Sequence, residues 1–195
     1  MEYYKNTPTF YATDRAAWRL WLEQHHQEET AIWLVIFKKE SGTPTVYYPE
    51  AVEEALCFGW IDSKPNKRDE QSYYQFFSKR NPKSNWSKVN KDKVATLLEK
   101  GLMQPAGMAM VELAQQNGTW NALEAVENIT LPPDLEACFE QNPTAFFHWE
   151  AFPRSTKRGI LEWIQNAKKP ETRLNRIQET VRLAALNQRA NQYKP

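Results

Sequence analysis

In the stretch EEALCFGWIDSKPNKRDEQSYYQFFSKRNPKSNWSKVN, residues 53–90, a cysteine, the aspartate Asp62 and a run of cations and aromatics stand close together. A cysteine nucleophile acts as its thiolate and needs a cation or a helix N-terminus beside it. Cys57 instead ends an apolar, helix-like run, where the dipole opposes negative charge, so it reads as a packed thiol. Metal chemistry has no foothold: His25 and His26 are adjacent and point about 100° apart on a helix, and no His-x-x-x-His or Cys-x-x-Cys spacing occurs. The segment GLMQPAG lacks the Lys-Ser/Thr that must follow its second glycine in a phosphate loop. Neither a cofactor nor a metal site is therefore expected.

The charge distribution points to a different chemistry. From Met1 to Ser63 there are 5 basic and 10 acidic residues, from Lys64 to Lys93 there are 9 and 3, and from Val94 to Pro195 there are 11 of each. A helix predicted to start at Ser84 would offer unpaired N–H groups, and Arg80, Lys83 and Lys88 around them would make an anion site. Ser87 and Asn90 belong to the same surface; Asp62 and Lys64 leave the neighbouring strand toward it, and Trp60, Tyr73, Tyr74 or Trp86 would stack on something flat. The expectation is a binding protein for a small anion or nucleotide-like ligand. The competing reading makes Trp60 and Trp86 core residues and the lysines a solvated face. Three further alternatives stand. Asp62 would act as general base on a small substrate; single-stranded nucleic acid would use the interleaved cations and aromatics, although the net charge of +1 is small for that; or the C-terminal helices would present an apolar groove to an unidentified protein partner.

These residues need elements to position them. Trp18, Trp21 and Leu22 recur at helical spacing over residues 13–25, with Thr13 or Asp14 as cap, and AIWLVIFKK reads as a strand closed by Ser41-Gly42-Thr43-Pro44. A helix from Pro49 to about Phe58 ends at Gly59, which is expected to take the left-handed terminating conformation. Strands near Trp60–Lys64 and Ser72–Ser78 follow; the second carries aromatics on both faces. Helices are predicted around Val94–Leu98, over Ala106–Gln116, from Asp134 to Gln141, over Arg154–Ala167 and over Pro170–Leu186. The sum is an α+β chain, a small antiparallel sheet with flanking helices followed by a helical C-terminal part. The boundary is expected at the TLPPD linker, giving 1–130 and 131–195.

Composition narrows the setting. Eight tryptophans supply much of the core area. The longest apolar run, Ala31–Phe37, falls far short of the ~20 residues a membrane helix needs, so no membrane insertion is expected. MEYYKNTPTF lacks the pattern of a secretion signal, and two distant cysteines suit a reduced state, so the cytoplasm is the expected compartment.

The blocks EEALCFGWIDSK, SYYQFFSKRNPKSNWSKVN, GLMQPAG and AKKPETRLNRI resemble the YdeI/OmpD-associated, or bacteriocin-protection, family of bacterial proteins, over residues from about Phe10 to Leu186. The resemblance implies a helical C-terminal module around RSTKRGILEWIQNAKKPETRLNRIQETV, a stress-tolerance setting, and no known reaction. Its polar motif positions fall on Asp62, Arg80, Ser84, Trp86, Ser87, Asn90, Thr172, Arg173 and Arg176. Arg173 and Arg176, three apart on one helix, are expected to dock the helical part onto the sheet through carboxylates such as Asp62.

Overall fold

The computed structural model describes residues 2–191 and divides between Asn121 and Ala122 into two compact units. That division lies upstream of the boundary expected at 130, because Leu123 and Val126 are buried in the second core rather than left in a linker. Residues 192–195 of the expected C-terminal module lie outside the described residues.

The first unit is built on a sheet of β1 (Tyr3–Tyr4), β2 (Thr7–Tyr11), β3 (Ala31–Phe37), β4 (Trp60–Lys67) and β5 (Ser72–Lys79), ordered β1-β2-β3-β5-β4. The pairs are antiparallel except β2 with β3, which run parallel. A parallel pair needs a crossover, and helix α1 (Arg15–His25) supplies it. The β1–β2 hairpin is absent from the sequence reading; its turn places Lys5 and Asn6 at positive φ. Asp14 caps α1 by accepting the Ala17 N–H at 2.8 Å, and Trp18, Trp21 and Leu22 point inward.

Helix α2 (Tyr48–Cys57) lays Ala51, Val52, Ala55 and Leu56 on the same core, and the Trp18 indole donates to the Ala51 carbonyl at 3.0 Å. It stops at Gly59, whose φ of +74° is open to glycine at little steric cost. Helices α3 (Lys88–Glu99) and α4 (Pro105–Gln116) complete the unit. Gly107 of α4 lies so close to the end of α2 that an added Cβ would stand 2.2 Å from the Cys57 carbonyl oxygen. Glycine is what permits these helices to meet.

Register sorts the aromatics of β5. Ile32 pairs with Phe77, and Leu34 with Gln75, on the face beneath α1 and α2, where Phe77 lies 5.3 Å from Trp18. Trp33 pairs with Phe76 and Val35 with Tyr74 on the other face, where Tyr4 stacks on Tyr74 at 4.3 Å.

The second unit contains α5 (Glu124–Glu127), α6 (Pro133–Glu140), α7 (Pro143–Ala151), α8 (Arg154–Gln165) and α9 (Pro170–Ala185) around Leu135, Phe139, Trp149, Ile160, Ile164 and Ile177. Helix α7 escapes periodicity analysis because Phe146 and Phe147 face outward while Ala145 and Trp149 face inward, leaving no polar stripe. Its start is nonetheless ordinary: Pro143 opens it, and Asn142 accepts the Ala145 N–H at 3.1 Å. No helix among the described residues is long and apolar enough to cross a membrane.

Candidate functional site

The loop between β5 and α3 holds the residue with the least satisfied chemistry. Arg80 follows β5 directly, its N–H bonded to the Gly59 carbonyl, and is only 5% exposed. Its guanidinium carbon lies 3.7 Å from the centroid of the Trp86 ring, a close cation–π contact. One terminal nitrogen donates to the Asn85 carbonyl at 2.6 Å. Its Nε is buried and has no hydrogen-bond partner among the described residues. Two other buried side-chain donors share that condition, Trp33 Nε1 and Asn66 Nδ2, but of the three only Arg80 carries charge. Burial pushes the Arg80 pKa down to about 10, the direction expected when a cation loses water and gains no counter-charge.

The rest of the expected anion surface is rearranged. Helix α3 begins at Lys88, and its cap is Ser87, which accepts the Asn90 N–H at 3.3 Å; Ser84 is not the cap. Ser84 instead closes a turn on Asn81, its N–H at 2.9 Å and its hydroxyl at 2.7 Å from the Asn81 carbonyl. The Trp86 N–H donates to Thr119 at 3.2 Å, so the Ser84 and Trp86 amides are already occupied by protein. Lys83 is exposed. Thus Arg80, Trp86, Ser87 and Asn90 form a continuous loop-to-helix element, while the amide cradle imagined over Ser84–Ser87 is not available.

Other expected members lie elsewhere. Trp60 is a core residue, 1% exposed, and its indole donates to the His26 carbonyl at 3.3 Å. Tyr73 packs against the core beneath the helices, and Lys64 is exposed on the edge strand β4. Asp62 accepts a 2.6 Å hydrogen bond from the Tyr48 hydroxyl. Burial, together with that bond to Asp62, raises the Tyr48 pKa well above the usual phenol range. Asp62 therefore ties the start of α2 to β4, and its contact is Tyr48 rather than Arg80 or Arg173. In the second unit, Arg173 grips Asp134 with two bonds of 2.6 and 2.8 Å, and Arg176 donates to the Trp163 carbonyl while lying over that ring. Both arginines, expected to reach the sheet, are engaged in joining α9 to α6 and α8, because carboxylate and carbonyl acceptors stand within one side-chain length.

Sequence reasoning missed a buried ion cluster. Glu54, 1% exposed, accepts from Arg15 at 2.5 Å and Arg19 at 2.7 Å, and Arg19 also donates to the Leu102 carbonyl at 3.2 Å. The one available signal was the i, i+4 spacing of the two arginines on α1, which aligns them on one stripe. Cys57 adjoins this cluster; burial, with Glu54 nearby, pushes its pKa up to about 11. Among the described residues, no group of three or more His, Cys, Asp or Glu is arranged to hold a metal.

Fold and site together define an α+β domain carrying a buried, charge-unpaired arginine, followed by a helical domain. Residues 10–110 match a family model described as a domain of unknown function (DUF8412). Residues 128–187 match the model described as Bacteriocin-protection, YdeI or OmpD-Associated. The first match spans just over half of the chain, so the chain belongs to that family, and its C-terminal part is a domain of the bacteriocin-protection family. The resemblance is thus borne out over 128–187, while the blocks EEALCFGWIDSK and SYYQFFSKRNPKSNWSKVN fall within the first match. No curated protein and no solved structure matches the chain.

Proposed function

We propose that the first unit binds a small oxyanion, free or as part of a nucleotide, and that the protein works by binding rather than by catalysis. One observation carries this reading: Arg80 is buried without a carboxylate, and its Nε has no acceptor. Removing a cation from water costs several kcal/mol when nothing neutralises it, and an anion donated from solution would supply both the charge and the missing acceptor. The Trp86 face already stacked on the guanidinium fixes the plane in which a carboxylate or phosphate would be met. Helix α3 opens two residues after Trp86, which sets the positive end of its dipole beside the same loop. The expected amide cradle contributes nothing to this version of the site. The description of the C-terminal domain's family names bacteriocin protection and no reaction; a stress-tolerance role in the cytoplasm is part of the same proposal.

The test is titration of the full chain with inorganic phosphate and with a nucleoside monophosphate, observed at the Arg80 Nε–H resonance and by thermal shift. A ligand at 100 times its Kd stabilises the protein by about 2.7 kcal/mol, so saturating phosphate raises the melting temperature of the wild type and leaves that of Arg80→Met unchanged. A stationary Nε–H signal at tens of millimolar phosphate refutes the proposal even where Arg80→Met folds poorly.

A further inference from the structure

The second unit carries a separate feature, independent of the anion reading. Helices α6 and α7 and the preceding Leu131 enclose a groove of about 530 Å³, inside the range of roughly 300–1,000 Å³ common for binding sites. Its floor is apolar: Leu131, Phe139, Pro143, Phe146 and Phe147. Phe147 is 73% exposed and Phe146 is 40% exposed, so two adjacent aromatic rings face water on the helix whose other side builds the core. Single exposed apolar residues are unremarkable, but a contiguous aromatic patch in a concave surface marks an interaction site.

The rim of this groove determines what fits it. Glu136, Glu140 and Glu150 line its edge. Glu150 is paired with Lys157 at 3.0 Å, whereas Glu136 and Glu140 have no ion pair among the described residues. From Leu131 to Pro153 the chain contains four carboxylates and no lysine or arginine; the fourth, Asp134, is neutralised by Arg173. Glu136 and Glu140 stand four apart on α6, an arrangement of like charges that weakens a helix. The dipole of α6 favours Glu136 in its first turn, but Glu140, at the C-terminal end beside the exposed phenylalanines, gains nothing from it.

We infer that this groove docks the apolar face of a basic amphipathic helix, with Phe146 and Phe147 taking its aliphatic side chains and Glu136 and Glu140 meeting its lysines or arginines. Helix-in-groove recognition reads anchors at i, i+3, i+4 and i+7 from one face, and the flanking cations add orientation. The groove thereby gives a specific form to the protein-interaction role that the C-terminal helices suggested.

The test uses the full chain and a labelled leucine-lysine peptide of about four helical turns, with fluorescence anisotropy as readout. Two controls accompany it: a peptide of the same composition reordered to have no apolar face, and a leucine-glutamate version of the amphipathic one. The amphipathic basic peptide binds, and its binding weakens as salt is raised. Phe147→Ser and the double change Glu136→Lys with Glu140→Lys each lower its affinity by roughly tenfold or more, as for central groove contacts, while circular dichroism of both variants stays that of the wild type. Equal binding of the reordered peptide overturns the inference, since mere attraction to an acidic surface would explain it. So does wild-type self-association that Phe147→Ser abolishes, because the occupant would then be a second copy of this chain.

Discussion

Replacing Gly107 by alanine tests the closest packing in the first unit. The new Cβ would lie 2.2 Å from the Cys57 carbonyl oxygen, more than an ångström short of ordinary contact at 3.4 Å, and 2.7 Å from both the Cys57 carbonyl carbon and the Leu56 oxygen. These are backbone atoms at the end of α2, so no side-chain rotation relieves the clash and α4 has to move away. Overpacking typically costs about 1–3 kcal/mol, and a clash against backbone falls at the upper end of that range. The shift also strains the 3.1 Å bond from the Gln104 N–H to the same carbonyl, about 1 kcal/mol. Against this, alanine is favoured over glycine in a helix by at most about 1 kcal/mol. The net expectation is about 3 kcal/mol of destabilisation, which at an m-value near 2 kcal/mol/M moves the urea midpoint down by roughly 1.5 M. Gly159 in α8 is the matched control: it is helical too, and nothing lies within 4 Å of its added Cβ. Gly159→Ala should therefore stabilise by up to about 1 kcal/mol. Helix propensity alone gives both substitutions the same sign. A tryptophan-fluorescence urea titration in which Gly107→Ala leaves the midpoint unchanged or raises it would refute the close approach of α4 and α2.

Glu54→Ala leaves Arg15 and Arg19 beside an emptied, buried site and should cost about 3–5 kcal/mol by urea denaturation, with Glu54→Gln intermediate; a loss under about 1 kcal/mol would mean that water already screens the cluster. Cys57, with its pKa pushed up to about 11 and no exposed surface, should resist a thiol reagent at pH 8 in the native protein and react on unfolding; prompt native labelling at Cys57, identified by peptide mapping, contradicts this. The hydrogen bond and charge of Arg173 lower the folded pKa of Asp134, so this pair contributes stability above the unfolded carboxylate value near 3.9 and loses it as pH falls through the lower folded value. Because both side chains are partly exposed, Arg173→Ala should cost only about 0.5–1 kcal/mol at pH 7, and that cost should shrink as pH falls below the unfolded carboxylate value in acid titrations of both proteins.

Local patterns carried much of the architecture. The tryptophan and leucine spacing of α1, the β-branched run of β3, the proline start and glycine stop of α2, and the stripes of α8 and α9 were each legible because adjacent residues decide them. The β1–β2 hairpin was not, since two-residue β1 is held by pairing with β2 and by Tyr4 stacking on Tyr74, a partner far along the chain. Helix α7 was hidden by its outward phenylalanines. At the candidate site, the basic window drew attention to the loop after β5, and Arg80 is its chemically unusual member. Ser84 was misread as the cap because a serine before a lysine-rich helix occurs twice, at Ser84 and Ser87, and only the turn on Asn81 distinguishes them.

By itself the sequence determined the α+β class, the helical C-terminal part, the inert character expected of Cys57 and the region where cations gather, because propensity, capping and periodicity act over a few residues. Tertiary structure alone decided which of those cations enters the interior. Arg80 and Lys83 differ little as sequence signals, yet the Gly59 carbonyl draws the Arg80 backbone inward and the Trp86 face covers its guanidinium, while Lys83 remains in water. The same holds for Glu54 and for Arg173: whether a charge is buried, paired or left facing a groove depends on which distant groups folding places beside it.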